Sequence, residues 1–139
     1  MPEKDVRKER VFVYGTLMKG FRNYSAFLEG KSSYCGRGSL KGTLYHLPQG
    51  YPGLIESDGT VYGEVYELPG TEARDELDWL EGYNGDGDDN LYDRKSRAVT
   101  MEDGNQMECW IYVYCDKDYA TSKGTLVTDG DWRVFRNER

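Results

Sequence analysis

Val11-Phe12-Val13-Tyr14-Gly15-Thr16-Leu17 sets the reading of this chain. Four β-branched or aromatic residues run into a glycine, the pattern of a buried strand leaving its sheet. Past the last ladder partner, the amides of the turn must bond something else. Consecutive N–H groups at such a junction make a concave site for an anion. Gly15 permits close approach of a ligand or another backbone, and Thr16 adds a hydroxyl. A second stretch answers the first: Leu77-Asp78-Trp79-Leu80-Glu81-Gly82-Tyr83 places Glu81 at the end of a short helix. One element would hold a developing oxyanion, and the other would move a proton.

The rest of the pattern extends outward from these two. Residues 11–14 read as a buried strand. Between 16 and 30, Phe21, Tyr24, Phe27 and Leu28 follow helical spacing, which predicts a helix ending near Gly30. Residues 40–47 read as a strand. Tyr51-Pro52-Gly53-Leu54-Ile55 reads as a loop entering a short strand, which starts after Pro52 or lies at an edge because proline has no ladder donor. Ser57-Asp58-Gly59-Thr60 reads as a hairpin turn, since Asp-Gly suits positive φ, and 61–68 as the returning strand. Thr71 is placed to cap a helix whose apolar stripe is Ala73, Leu77 and Leu80, and Gly82 is placed to end it. Residues 84–90 form a flexible acidic loop. Strands at 92–101 and 106–115 flank a turn at Glu102-Asp103-Gly104-Asn105, with both faces of the second strand partly covered. Residues 127–135 carry Trp132 and one more short strand. The strands outnumber the helices and are joined mostly by hairpins. This is an α+β fold with a mixed or antiparallel sheet, flat or curled into a barrel, and one or two helices packed on it. Residues 1–10 are expected to be a flexible charged leader, and 11–139 a single domain.

Composition narrows the function classes. A net charge of −7 repels phosphate backbones and argues against nucleic-acid binding. Residues 1–10 lack the apolar stretch of a signal peptide, and no run approaches membrane-spanning length. Cys35, Cys109 and Cys115 form no CxxC pair and read as reduced thiols of a cytoplasmic protein rather than a disulfide frame or zinc site. Twelve tyrosines in 139 residues point to a polar interior or a lined pocket. The sequence sets no oligomeric state.

Taken singly, each candidate also has an ordinary reading. Glu81 lies at the edge of the apolar stripe, where apolar surroundings and the negative helix end both favour its neutral form; the ordinary reading is a solvated glutamate. The Tyr14–Leu17 turn is otherwise a plain strand exit. Gly30-Lys31-Ser32 lacks the earlier glycine of a phosphate loop, because Ser25 stands there. The 84–90 loop fails the calcium-loop pattern, which puts Leu91 or Asp89 where glycine is required. His46, the single histidine, has no suggestive neighbour and reads as structural. Tyr92-Asp93-Arg94 and Trp132-Arg133 each offer an arginine able to grip a carboxylate.

Together, Val13-Tyr14-Gly15-Thr16-Leu17, Tyr51-Pro52-Gly53-Leu54, Gly63-Glu64-Val65-Tyr66, Leu77-Asp78-Trp79-Leu80-Glu81-Gly82-Tyr83 and Tyr92-Asp93-Arg94, in this order, resemble the γ-glutamylcyclotransferase-like superfamily. The likeness is to the branch holding γ-glutamylamine cyclotransferase and the AIG2-like proteins. The resemblance covers roughly residues 11–114. It implies a small mixed, mainly antiparallel β-barrel flanked by one or two helices. It implies that Tyr14, Gly15, Thr16 and Leu17 bind the γ-glutamyl moiety through backbone amides, with Pro52, Gly53, Tyr92 and Arg94 completing the site, and that Glu81 is the acid/base. YGTL rather than YGSL implies γ-glutamyl-amine or peptide substrates. The 84–90 loop departs from the pattern and is placed to reshape the pocket mouth.

The implied reaction converts a γ-glutamyl amide to 5-oxoproline and a free amine, with no metal, nucleotide or other cofactor. Two alternatives differ in class. A small-metabolite binding module on the same fold would bind without turnover. A tyrosine-rich interaction protein would have no pocket and an exposed Glu81. A narrower variant removes a γ-glutamyl protecting group during biosynthesis of an aminated natural product.

Overall fold

The computed structural model describes residues 9–85, 87 and 89–137. Its elements, in chain order, are β1 (Glu9–Val13), α1 (Tyr24–Phe27), β2 (Ser33–His46), β3 (Pro52–Leu68), α2 (Thr71–Glu81), β4 (Tyr92–Met101), β5 (Gln106–Tyr114), α3 (Lys117–Lys123), β6 (Thr125–Val127) and α4 (Trp132–Asn137). Hydrogen bonding runs β3-β1-β5-β4-β2 and returns from β2 to β3, so five strands close into a barrel, with β6 added on β2. The β1–β5 contact is parallel, at Val11↔Trp110, and the other pairings are antiparallel. The expected mixed, mainly antiparallel barrel is therefore the fold. It carries four short helices where one or two were expected.

Burial follows the sequence pattern. Val11, Phe12, Leu44, Leu54, Val61, Val65, Val99 and Ile111 are almost wholly removed from water. Six of the eight are β-branched or aromatic, bulk that suits a pleated wall, and the adjacent Val11, Phe12 and Val13 show that β1 is covered on both faces. Leu77 is the buried residue of α2, with Ala73 and Leu80 packed against the core beside it, so the expected stripe is the contact face. Gly82 caps the helix, its N–H bonding the carbonyl of Trp79. Thr71 is the first helical residue, and Gly70 takes the cap position instead.

Four local expectations are corrected. The Ser57–Thr60 segment does not reverse the chain. β3 runs unbroken from Pro52 to Leu68 against β2, and the register jumps from Thr43↔Ile55 to Lys41↔Thr60. Four residues of β3 thus bulge opposite Gly42, and Ser57 Oγ lies 2.6 Å from Thr43 Oγ1. A bulge bends a long strand around a barrel, and Asp-Gly serves that kink as readily as a turn. The reversal lies at residues 47–51, with Pro52 as the first residue of its strand, a position proline tolerates. Next, the helix expected over 16–30 shrinks to Tyr24–Phe27 after a series of turns, because Gly20, at φ +93°, breaks the helical path. Third, α3 and α4 were not anticipated. Finally, Glu9 and Arg10, read as leader, begin β1 and pair with Leu68 and Glu67; residues 1–8 lie outside the described residues.

The 84–90 loop joins α2 to β4; Asp86 and Asp88 lie outside the described residues. Asn90 pins this loop, accepting from the Asn84 amide at 2.7 Å and donating to the Gly85 carbonyl and to Asp93. No helix among the described residues is long and apolar enough to cross a membrane.

Candidate active site

β1 delivers its last side chains into the barrel and then turns sharply. Tyr14 is buried, and its hydroxyl donates to the Tyr112 carbonyl at 2.6 Å. Gly15 lies so close to Pro52 that a Cβ there would sit 2.6 Å from the proline ring. The loop beyond is tied on both sides. The Asn23 amide and side chain donate to Thr16 O and Oγ1, at 3.0 and 2.8 Å. From α4, Arg133 donates to the Lys19 carbonyl and to Glu64, which also accepts the Lys19 amide. Trp132 of α4 packs on Phe21 with ring centres 5.0 Å apart. Within this frame, the N–H groups of Gly15, Thr16 and Leu17 donate to no protein acceptor among the described residues. A rigid row of unpaired donors is the physical basis of an anion cradle.

α2 brings Glu81 to the same space. Asp78, one turn earlier, receives Arg94 Nη1 on one oxygen and the Tyr112 hydroxyl on the other at 2.7 Å, which fixes the helix end against the barrel. Glu81 lines a cavity of about 240 Å³ together with the Tyr14–Leu17 turn, Pro52 and Tyr92. Its carboxyl has no hydrogen bond or ion pair among the described residues, and burial pushes its pKa from the ordinary 4.5 up to about 7. The tyrosines around it are themselves held above their usual range, by burial first and then by the Glu81 charge in the case of Tyr14 and Tyr51. They remain neutral hydroxyls at working pH, and Tyr92 spends its proton on the Pro52 carbonyl at 2.6 Å.

This placement has a stability signature. The folded state binds the Glu81 proton more tightly than the unfolded chain does. Between pH 4.5 and about 7 it therefore holds more protons, and stability falls as pH rises. The favourable contribution is complete below pH 4.5 and lost through about pH 7. Glu81→Gln, which cannot ionise, is expected to match wild type near pH 4 and to exceed it at pH 8 by about 2–3 kcal/mol, allowing for partial exposure. Urea midpoints at the two pH values read this directly. A gap that does not change with pH would mean a solvated carboxyl.

Seven of the nine residues singled out in the sequence line the cavity: Tyr14, Gly15, Thr16, Leu17, Pro52, Glu81 and Tyr92. Gly53 does not; it lies under the Tyr114 ring, which a Cβ would meet at 2.9 Å. Arg94 does not either. It shares Tyr92's face of β4, but two residues along the strand carry it beneath α2, where it pairs with Asp78 and lies over the rings of Trp110 and Tyr83. Sequence reasoning missed Arg22, Asn23, Tyr51 and Tyr112 as lining residues. The first two lay hidden in the expected helix. Tyr112 was visible in the alternation of β5, but nothing marked it as facing a cavity.

His46 accepts from Trp132 Nε1 at 3.1 Å and packs against Phe135, in keeping with a structural role. Cys35, Cys109 and Cys115 are free thiols. The cavity, with a partly buried Glu81 in its wall, runs against the interaction-protein alternative, which predicts no pocket and an exposed Glu81.

A sequence profile of the family described as "Gamma-glutamyl cyclotransferase, AIG2-like" matches residues 11–134. A Niallia circulans protein named γ-L-glutamyl-butirosin B γ-glutamyl cyclotransferase is 35% identical over 127 residues, covering 91% of this chain and 76% of that one. A Methanocaldococcus jannaschii protein, named provisionally a γ-glutamylcyclotransferase, is 32% identical over 130 residues, covering 92% of this chain and 98% of its own. The crystal structure of an AIG2-like protein from Mus musculus superposes with a TM-score of 0.66 at 25% identity, over 79% of each chain.

Proposed function

The chain belongs to the AIG2-like γ-glutamyl cyclotransferase family, and from that premise we propose that it cyclises γ-glutamyl amines or peptides to 5-oxoproline, with Glu81 as general acid and base. The observation that carries this reading is a carboxyl of raised pKa sharing one cavity with a row of backbone amides, neither of which has a partner among the described residues.

The substrate brings its own nucleophile. Its α-ammonium gives a proton to the Glu81 carboxylate, and the freed amine attacks the γ-carbonyl carbon to form the new ring C–N bond. Negative charge moves onto the carbonyl oxygen, where the amides of Gly15, Thr16 and Leu17 stabilise it. The original amide C–N bond then breaks as Glu81 protonates the departing nitrogen. The ring nitrogen sheds its extra proton through the same carboxylate, so 5-oxoproline leaves neutral at nitrogen and the amine leaves protonated. A carboxyl with pKa near 7 suits both directions of transfer at neutral pH.

Incubation with a panel of γ-glutamyl amines and γ-glutamyl dipeptides, with chromatographic detection of 5-oxoproline, tests the reading. Release is expected, and its rate should rise with an acidic limb near pH 7 as Glu81 ionises. Tight binding with no product across the panel would instead identify a sensor on the same fold.

A further inference from the structure

Arg22 is the cavity's unclaimed charge. Arg37, Arg74, Arg94, Arg97 and Arg133 each have a carboxylate partner. Arg22 lines the cavity, is exposed at its opening, and has no ion pair or hydrogen bond among the described residues. Its backbone is nonetheless held, because Phe21 bonds the Met18 carbonyl on one side and Asn23 bonds Thr16 on the other. Glu81 likewise has no partner among the described residues. Both side chains line the hollow, and no ion pair joins them. At about 240 Å³ the cavity is smaller than the roughly 300–1,000 Å³ that encloses a drug-sized ligand. Its volume suits an amino-acid-sized head, and a group attached to that head would have to lie at the exposed side, where Arg22 stands.

We propose that Arg22 binds a carboxylate on the departing amine and so selects γ-glutamyl amino acids and peptides over γ-glutamyl alkylamines. This rests on the reading of the cavity as a γ-glutamyl site. A guanidinium meets a carboxylate in a paired, charge-assisted geometry that an alkyl group cannot supply. Nothing within the described residues has to be released for it to do so.

The test compares γ-glutamyl-glycine with γ-glutamyl-ethylamine, which differ at the end of the departing amine by carboxylate against methyl. Kd is measured by calorimetry in a Glu81→Gln background, where ligand is not consumed, with Arg22 intact, Arg22→Gln or Arg22→Lys. In parallel, kcat/KM is measured with Glu81 present. With Arg22 intact, γ-glutamyl-glycine is expected to be preferred about tenfold, the scale of one charge-assisted hydrogen bond. The preference should collapse toward unity in Arg22→Gln and survive in part in Arg22→Lys. A preference absent with Arg22 intact, or unchanged in Arg22→Gln, overturns the proposal. So does equal weakening of both ligands, which would place Arg22 on the common glutamyl head. If the Kd preference behaves as expected but no 5-oxoproline forms, the cyclisation reading fails and the carboxylate subsite stands. If 5-oxoproline forms from both without an Arg22-dependent preference, the reverse holds.

Discussion

Glu81→Gln is expected to lower kcat for 5-oxoproline release by about 10²–10⁴, the contribution of a positioned general acid and base. The substitution keeps the shape of the side chain and removes the ability to accept and return a proton. It breaks no contact within the described residues, because the Glu81 carboxyl has no hydrogen bond or ion pair there. The helix end it sits on is fixed by Asp78, through Arg94 and Tyr112, and that anchor is untouched. Loss of rate should therefore come with a folded protein, and above pH 7 with a more stable one, since the cost of burying the charge disappears. This opposition of activity and stability distinguishes a proton shuttle from a structural glutamate. A structural glutamate would lose both together. Turnover by purified Glu81→Gln at the wild-type rate would remove Glu81 from the mechanism, wherever the substrate binds.

Much of this arrangement was legible because local signals and tertiary demands agreed. The run at residues 11–14 is buried wherever it lands, so its place in the barrel wall follows from its side chains. The stripe of Ala73, Leu77 and Leu80 fixed which face of α2 packs inward, and with it the position of Glu81 near the core. The β4–β5 hairpin was readable from alternation and the turn at 102–105. Illegible were the features that exist only once the barrel closes. Asp58-Gly59 looks like a hairpin turn locally, and only the length of β2 and β3 paired together makes it a bulge. Phe21, Tyr24, Phe27 and Leu28 have helical spacing, but the loop is held by Asn23, Glu64 and Arg133, partners distant in sequence or unremarkable in type. The same blindness hid Arg22 and placed Arg94 in the cavity. Alternation assigns a residue to a face, but not to a height along the strand relative to a helix laid across it.

Gly15→Ala should be the second severe lesion, with kcat reduced about 10²-fold. An added Cβ would sit 2.6 and 2.7 Å from Cγ and Cδ of Pro52, where ordinary contact begins at 3.4 Å. One side must retreat by nearly 1 Å. The proline ring is held, since Pro52 opens β3 opposite His46 and its carbonyl accepts the Tyr92 hydroxyl at 2.6 Å. The turn is held as well, through Thr16 and Asn23. If the turn yields, the amides of Gly15, Thr16 and Leu17 shift relative to Glu81; if the ring yields, Pro52 moves in the cavity that it lines with Glu81. A displacement of about 1 Å in a catalytic geometry costs roughly 10²-fold. Overpacking of this kind also costs about 1–3 kcal/mol of stability, so a melting curve must accompany the rate. The separation of the two effects comes from Pro52→Ala, which deletes the two atoms in conflict. The double variant is expected to recover most of the rate that Gly15→Ala loses, a strong coupling between neighbours, while Pro52→Ala alone has the smaller effect. If the two losses simply add, the space between Gly15 and Pro52 does not set the position of the cradle, and the turn must owe its catalytic geometry to Asn23 and the α4 contacts instead.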